Sequence, residues 1–226
     1  MKINFYHTKT FDMKKFLILL LLLPIFAYPQ APNRFDNEVM EIQKKNDSLW
    51  DASKPTLVFT GSSSIRMWKD LQDRFPEQQV LNTGFGGSQF SDLELYLDEL
   101  ILNYNPTKIF IYEGDNDVSA KKRLKDIVNT SARILNTLQQ RKQGMEIILI
   151  SPKPSISRWK LRRKYRRLNR KLSRLAEKTD GVDFVDVWYP MLDKRKVKQD
   201  IFIEDGLHMN TKGYDIWYEV LKNHVN

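Results

Sequence analysis

The sequence predicts an α/β fold, a three-layer α/β/α sandwich built on a five-stranded, mainly parallel sheet. Three observations lead there. Short β-prone runs recur at 56–60, 79–82, 108–112, 145–151 and 183–187, and helix-period segments fill the gaps between them. The polar, glycine-bearing clusters fall just after the runs, as they do where a parallel sheet collects its ligand-facing loops at the carboxyl ends of its strands. Strand and helix in alternation at this spacing mean a sheet covered on both faces.

The elements follow in order. Lys14 and Lys15 precede the apolar run 16–27, "FLILLLLLPIFA", which has the charge and length of a secretory signal and is short for a membrane span. Residues 1–31 are therefore set apart as signal and upstream sequence, with Met13 as an alternative start, and 32–226 as a single domain outside the cytoplasm, periplasmic or secreted. The segment 35–50 reads as an entry helix. Later helices are expected near 65–74, 92–103, 121–140, 159–179 and 211–225.

Composition narrows the chemistry. A chain of 226 residues that is 41% hydrophobic buries one substantial core. It has no cysteine, which excludes a thiol nucleophile, a disulfide framework, a cysteine zinc site and a lipidated cysteine anchor. Three histidines are present, of which His7 precedes the signal and His224 lies at the C-terminal helix end. His208 remains, three residues after Asp205 in "EDGLHMN". An aspartate at that spacing can fold back onto Nδ1–H, fixing the tautomer and stabilising the imidazolium that forms when Nε2 takes a proton. The bland alternative is a helix-entry loop in which both residues cap backbone groups.

A nucleophile for that base is offered by "TGSSSI". An α/β-hydrolase elbow needs glycine two residues to either side of its serine. Gly61 meets this for Ser63, but Ile65 does not, and Asp205 and His208 share one loop where that fold uses two. Two other motifs also fail: "GFGGSQ" ends in Gln89 where a dinucleotide fingerprint needs glycine, and Ala120 stands where a calcium loop around Asp115 and Asp117 needs one.

Taken together, "VFTGSSSI", "NTGFGGS", "GDND" and "DGLH", in this order between Val58 and His208, resemble the four blocks of the SGNH hydrolases, the GDSL-type esterases and lipases. The resemblance implies a flavodoxin-like sheet and a Ser–His–Asp acyl-enzyme mechanism without metal or other cofactor. It assigns the nucleophile to Ser63, the base to His208 and its carboxylate partner to Asp205. The backbone N–H groups of Ser63 and Gly87 and the carboxamide of Asn116 become the oxyanion donors. Ser62 stands where the family has aspartate, and Ser64 is an alternative hydroxyl, suited also to capping the next helix. "SPKPSISRW" is similar to a stretch of one bacterial branch; it places Arg158 and Trp159 at the substrate cleft, or else Trp159 simply opens the core stripe of its helix.

Charge is uneven. The formal net charge is +9, yet residues 158–179 hold eleven lysines and arginines against one glutamate. Leu161, Tyr165, Leu168, Leu172 and Leu175 make an apolar stripe, which leaves Arg162, Arg163, Arg166, Arg167 and Arg170 outward. Such a face is either simply solvated or attracts an anionic polymer or membrane surface. Nucleic acid is disfavoured by export. The expected function is a short-chain acyl ester hydrolase, with a carbohydrate acetyl ester first. A lysophospholipase or thioesterase comes next, and a non-catalytic anionic-surface-binding module is the alternative from another class.

Overall fold

The computed structural model describes Met1 and residues 33–225; the candidate signal, with Met13, Lys14, Lys15 and 16–27, and His7 upstream of it, lie outside the described residues. Helix α1 (Asp36–Asp47) leads into the sheet. Its five strands are β1 (Thr56–Gly61), β2 (Gln79–Asn82), β3 (Lys108–Tyr112), β4 (Glu146–Ile150) and β5 (Val182–Val185), all parallel, in the order β2-β1-β3-β4-β5. This is the flavodoxin-like order, with the sequence order reversing at β1 and β3.

Every residue of β1 and β3 is buried, which explains why 57–59 and 109–112 are apolar on both faces instead of alternating. On one face Ile109 and Leu149 meet Val39 of α1, Ile134 and Leu138 of α7 (Leu124–Arg141), and Leu168 and Leu172 of α8 (Arg162–Ala176). On the other, Phe59 and Phe110, stacked at 4.1 Å, pack with Trp68 and with Trp217 of α9 (Thr211–Leu221). Burying two layers of this kind, at about 1.5–3 kcal/mol for each large apolar side chain, supplies the driving force for the sandwich.

Two expected helices are interrupted, each by a hydrogen bond to a residue distant in the chain. The segment 65–74 splits into α2 (Ser63–Arg66) and α3 (Leu71–Arg74), because the Asn82 carboxamide donates to the carbonyls of Ile65 and Trp68 at 2.7 and 3.3 Å, which a continuous helix would have used itself. The segment 92–103 becomes α4 (Phe90–Leu93), α5 (Leu97–Leu100) and two 3-10 turns; Tyr96, with φ −124°, leaves the helix as its hydroxyl donates to Asp36 at 2.7 Å. A short helix, α6 (Asp115–Ser119), follows β3 where only a loop was expected. A small antiparallel pair, β6 (Leu192–Asp193) and β7 (Lys196–Val197), lies between β5 and α9.

Candidate active site

The loops after β1, β2 and β3 are stitched together at the carboxyl edge of the sheet. Ser62 N–H donates to the Tyr112 carbonyl at 3.0 Å, and Phe85 N–H donates to the Gly61 carbonyl at 2.8 Å. Gly61 has φ +122°, and a Cβ there would lie 2.0 Å from the Tyr112 oxygen, so only glycine lets β1 turn this closely over β3. The turn delivers three consecutive serines to different environments. Ser62 and Ser64 are buried, Ser64 with its carbonyl accepting from Tyr214 at 2.9 Å; Ser63 alone is partly exposed. Ser62, not Ser64, occupies the position that caps α2.

Ser63 Oγ lies 3.0 Å from His208 Nε2, and His208 Nδ1 lies 2.5 Å from Asp205 Oδ2. The other Asp205 oxygen accepts the backbone N–H groups of Leu207 and His208 at 2.8 and 2.9 Å. Burial would raise the Asp205 pKa, but these backbone donors and the imidazole outweigh it and lower it to about 2. The carboxylate is thus ionised at neutral pH, and Nδ1 is held as the donor. The capping alternative for Asp205 and His208 is partly realised, since Asp205 does cap its own loop, yet it also holds the imidazole against Ser63.

Gly87 is exposed with φ +75°, and the space where a Cβ would stand is empty. No acceptor among the described residues takes the N–H of Ser63 or of Gly87. Asn116 Nδ2 donates to the Ser88 carbonyl at 2.9 Å, one residue beyond Gly87, and keeps a second N–H. These three groups are the candidate oxyanion donors.

Beneath them runs a network that sequence reasoning did not find. Arg158 donates to the Asn116 side-chain oxygen at 3.1 and 3.0 Å and to Asp115 at 2.6 Å. Asp115 is buried and also accepts from Tyr112 at 3.0 Å and from Tyr165. Burial pushes its pKa up, but the Lys153 and Arg158 charges prevail and hold it below the usual carboxylate range. Lys153, with its side chain 0% exposed, stands 3.6 Å from Asp115 and donates to the Leu207 carbonyl at 2.7 Å, inside the base loop. Its own pKa is lowered, chiefly by burial. On the other flank, Ser88 Oγ and Glu113 Oε1 are 2.5 Å apart in a fully buried pocket, where burial pushes the Glu113 pKa far up. The Ser88 hydroxyl has both Glu113 Oε1 and, at 3.2 Å, the Phe85 carbonyl as acceptors within reach. Trp159 stacks on Trp188 at 6.1 Å and 14°, packed against the core and half-buried.

A serine, an imidazole and a carboxylate in hydrogen-bonded series, on a flavodoxin-like sheet, define a serine hydrolase type of site. Residues 47–216 match the GDSL-like Lipase/Acylhydrolase family. The chain belongs to that family and is a carboxylic ester hydrolase. It is 25% identical over 190 residues to an N-acylneuraminate cytidylyltransferase of Escherichia coli O18:K1:H7, covering 83% of this chain but only 44% of that protein's length. It is also 25% identical to the Bacillus subtilis lipoprotein YqeF, covering 93% of this chain and 98% of YqeF. Among solved structures, a candidate platelet activating factor from Streptococcus pneumonia superposes with a TM-score of 0.74 at 24% identity, covering 96% of this chain and 100% of its own. A catalytic mutant of the acetylxylan esterase Axe2 from Geobacillus stearothermophilus has a TM-score of 0.64 at 19% identity, covering 76% and 94%. These likenesses show the shared fold.

Proposed function

We propose that the protein is an exported serine esterase that removes a short acyl group, an acetyl ester on a carbohydrate being the first choice. The observation that carries the mechanism is the unbroken series Ser63 Oγ, His208 and Asp205, at 3.0 and 2.5 Å. Nε2 takes the Ser63 proton as Oγ bonds to the ester carbon, and the carbonyl π pair moves onto oxygen. The resulting oxyanion is stabilised by Ser63 N–H, Gly87 N–H and Asn116 Nδ2–H, each contributing about 3–4 kcal/mol at the barrier. Collapse breaks the ester C–O bond, the imidazolium protonates the departing alkoxide, and the acyl group stays on Ser63. Water, deprotonated by His208, then releases the acid and restores the serine.

Preference for a short acyl group is supported by the openness of the base loop, where His208 is 23% and Asp205 42% exposed and a long chain finds little surface to bury. The carbohydrate choice is supported by the fold shared with an acetylxylan esterase. Export, to the periplasm or beyond the cell, is supported by Lys14, Lys15 and the run 16–27. Attraction of an anionic polymer or surface by the basic helix is a further part of this reading, supported by its charge excess.

The test compares p-nitrophenyl acetate with longer acyl esters for the wild type and for Ser62→Ala, Ser63→Ala and Ser64→Ala. Only Ser63→Ala should lose several orders of magnitude in kcat, and a serine-reactive organophosphate should label Ser63 alone. A label on Ser62 or Ser64 defeats the register. Preference for long acyl chains moves the assignment to a lysophospholipase or thioesterase, and no turnover of any ester leaves the surface-binding module.

A further inference from the structure

The basic face of α8 is not uniformly open to solvent. A concavity of about 600 Å³ lies between the start of α8 and the β5–β7 connection, with Arg162, Arg163 and Arg166 on one wall and Lys194 and Arg195 on the other. Its floor includes Trp159 and Trp188 in their near-parallel stack, and Arg162 lies over the Trp159 ring at 5.4 Å. A second hollow of about 300 Å³ shares Arg166, Trp188 and Tyr189 with the first, so the two are continuous, and it adds Arg170 and Arg174. The hollow's two acids are already engaged: Asp186 accepts from Ser151 and from Trp188 N–H, and Glu177 accepts from Ser173.

The arginines of this groove form no ion pair among the described residues, whereas Arg34, Arg66, Arg74, Arg123, Arg133 and Arg141 each hold a carboxylate. A run of unpaired guanidinium groups along a channel that also presents the open ring of Tyr189 has the two features an acidic sugar chain uses. Planar forks match its carboxylates, and the phenol face of Tyr189 matches a pyranose ring, while Trp188, 2% exposed, and Trp159 stacked on it support the floor from below. Tyr189, 60% exposed, presents its ring at the junction of the two hollows. A lipid surface would be met by a protruding apolar ridge, and here Tyr189 stands alone among arginines and lysines while Trp188 is buried.

We propose that this groove binds a single chain of an acidic, uronate-bearing polysaccharide. One end of the groove is Trp159, next in the chain to Arg158, which holds the Asn116 carboxamide. This deepens the esterase reading by giving the polymer that carries the ester; the purpose of the binding rests on that reading, and the binding itself does not.

The experiment titrates the full chain by calorimetry with de-esterified oligogalacturonate, which is no substrate, so the result does not depend on hydrolysis. A neutral xylo-oligosaccharide of equal length and phosphatidylglycerol vesicles serve as comparisons. Arg162→Gln/Arg166→Gln/Arg170→Gln removes three groove charges, and Lys164→Gln/Arg167→Gln/Lys171→Gln removes three from α8 outside the groove. The wild type should bind the oligogalacturonate and not the xylo-oligosaccharide, with affinity falling as salt rises. The groove variant should lose about 10–100-fold in affinity, the outer variant less than about threefold, and Tyr189→Ala, which leaves charge unchanged, about fivefold. Equal losses in both triple variants would reduce the groove to diffuse charge, and tighter binding to the vesicles would reassign it to a membrane surface. Either result overturns the proposal, while turnover of p-nitrophenyl acetate by the wild type judges the esterase reading separately.

Discussion

Arg158 donates from both terminal nitrogens to the side-chain oxygen of Asn116, at 3.1 and 3.0 Å, and thereby fixes which end of the carboxamide faces the site. With its oxygen held by the guanidinium and one N–H held by the Ser88 carbonyl, Asn116 has one N–H to offer and one direction in which to offer it.

Arg158→Gln should therefore lower kcat by about 10–100-fold while changing KM little, because a donor that points correctly only part of the time stabilises the transition state less. Asn116→Ala should lower kcat by about 10²–10³-fold. The double variant should be no worse than Asn116→Ala alone, since Arg158 acts through the group already removed. Additive losses in steady-state kinetics would instead assign Arg158 its own contact with the substrate, the role first considered for it.

Lys153 joins two loops through one buried ammonium, bonded to the Leu207 carbonyl and paired with Asp115. Lys153→Met should lower stability in urea unfolding by less than the about 3–5 kcal/mol of an orphaned buried charge, because Asp115 keeps Arg158 at 2.6 Å. It should also lower kcat, because the base loop loses its tie to the Asp115 cluster.

Asp205 gives the acid side of the pH dependence. Its carboxyl is lowered to about 2 in the folded chain, so the stabilisation it brings is complete above its ordinary value of 3.8 and is lost as pH falls toward about 2. Between neutral pH and about pH 4 the Asp205 carboxylate should therefore stay ionised and add no step of its own to the pH profile of kcat/KM. A step in that range that Asp205→Asn removes would place the Asp205 ionisation there instead. Asp205→Asn should drop kcat by about 10⁴-fold by releasing the wrong tautomer.

Glu113 gives the opposite sign. Because burial pushes its pKa well above 4.5, the stability tied to its protonated form is complete below that value and is lost as pH rises through the folded-state pKa. Glu113→Gln, which copies the protonated shape, should unfold at the same temperature as the wild type near pH 4 and at a progressively higher one as pH increases. Parallel melting curves across that range would mean the carboxyl is ionised in the fold.

Ser63, Asp205 and His208 were legible in the sequence because each stands in a short motif at the end of a strand or the start of a helix, where local spacing dictates geometry. The sheet was legible for a similar reason: strands buried on both faces read as unbroken apolar runs. Asp115 and Lys153 were not legible. They sit thirty-eight positions apart, and nothing local distinguishes a lysine destined for 0% exposure from one bound for solvent. The breaks in the helix 65–74 escaped too, because the group that takes its carbonyls, Asn82, belongs to a different strand. Arg158 and Trp159 were singled out together for the substrate cleft, yet Arg158 holds Asn116 while Trp159 packs on Trp188, and both partners are fixed only by tertiary packing.

Tyr214 of α9 donates to the Ser64 carbonyl at 2.9 Å and stacks on Trp68 at 5.3 Å, so the serine turn and the helix following His208 are clasped to one another. In the order of biosynthesis these partners lie far apart: the serine turn is made with the first strand, and its base and clasp arrive only after all five strands have left the ribosome. A nascent chain that has completed its sheet still carries a serine without a base. Esterase activity should then appear only once α9 has docked on the serine turn.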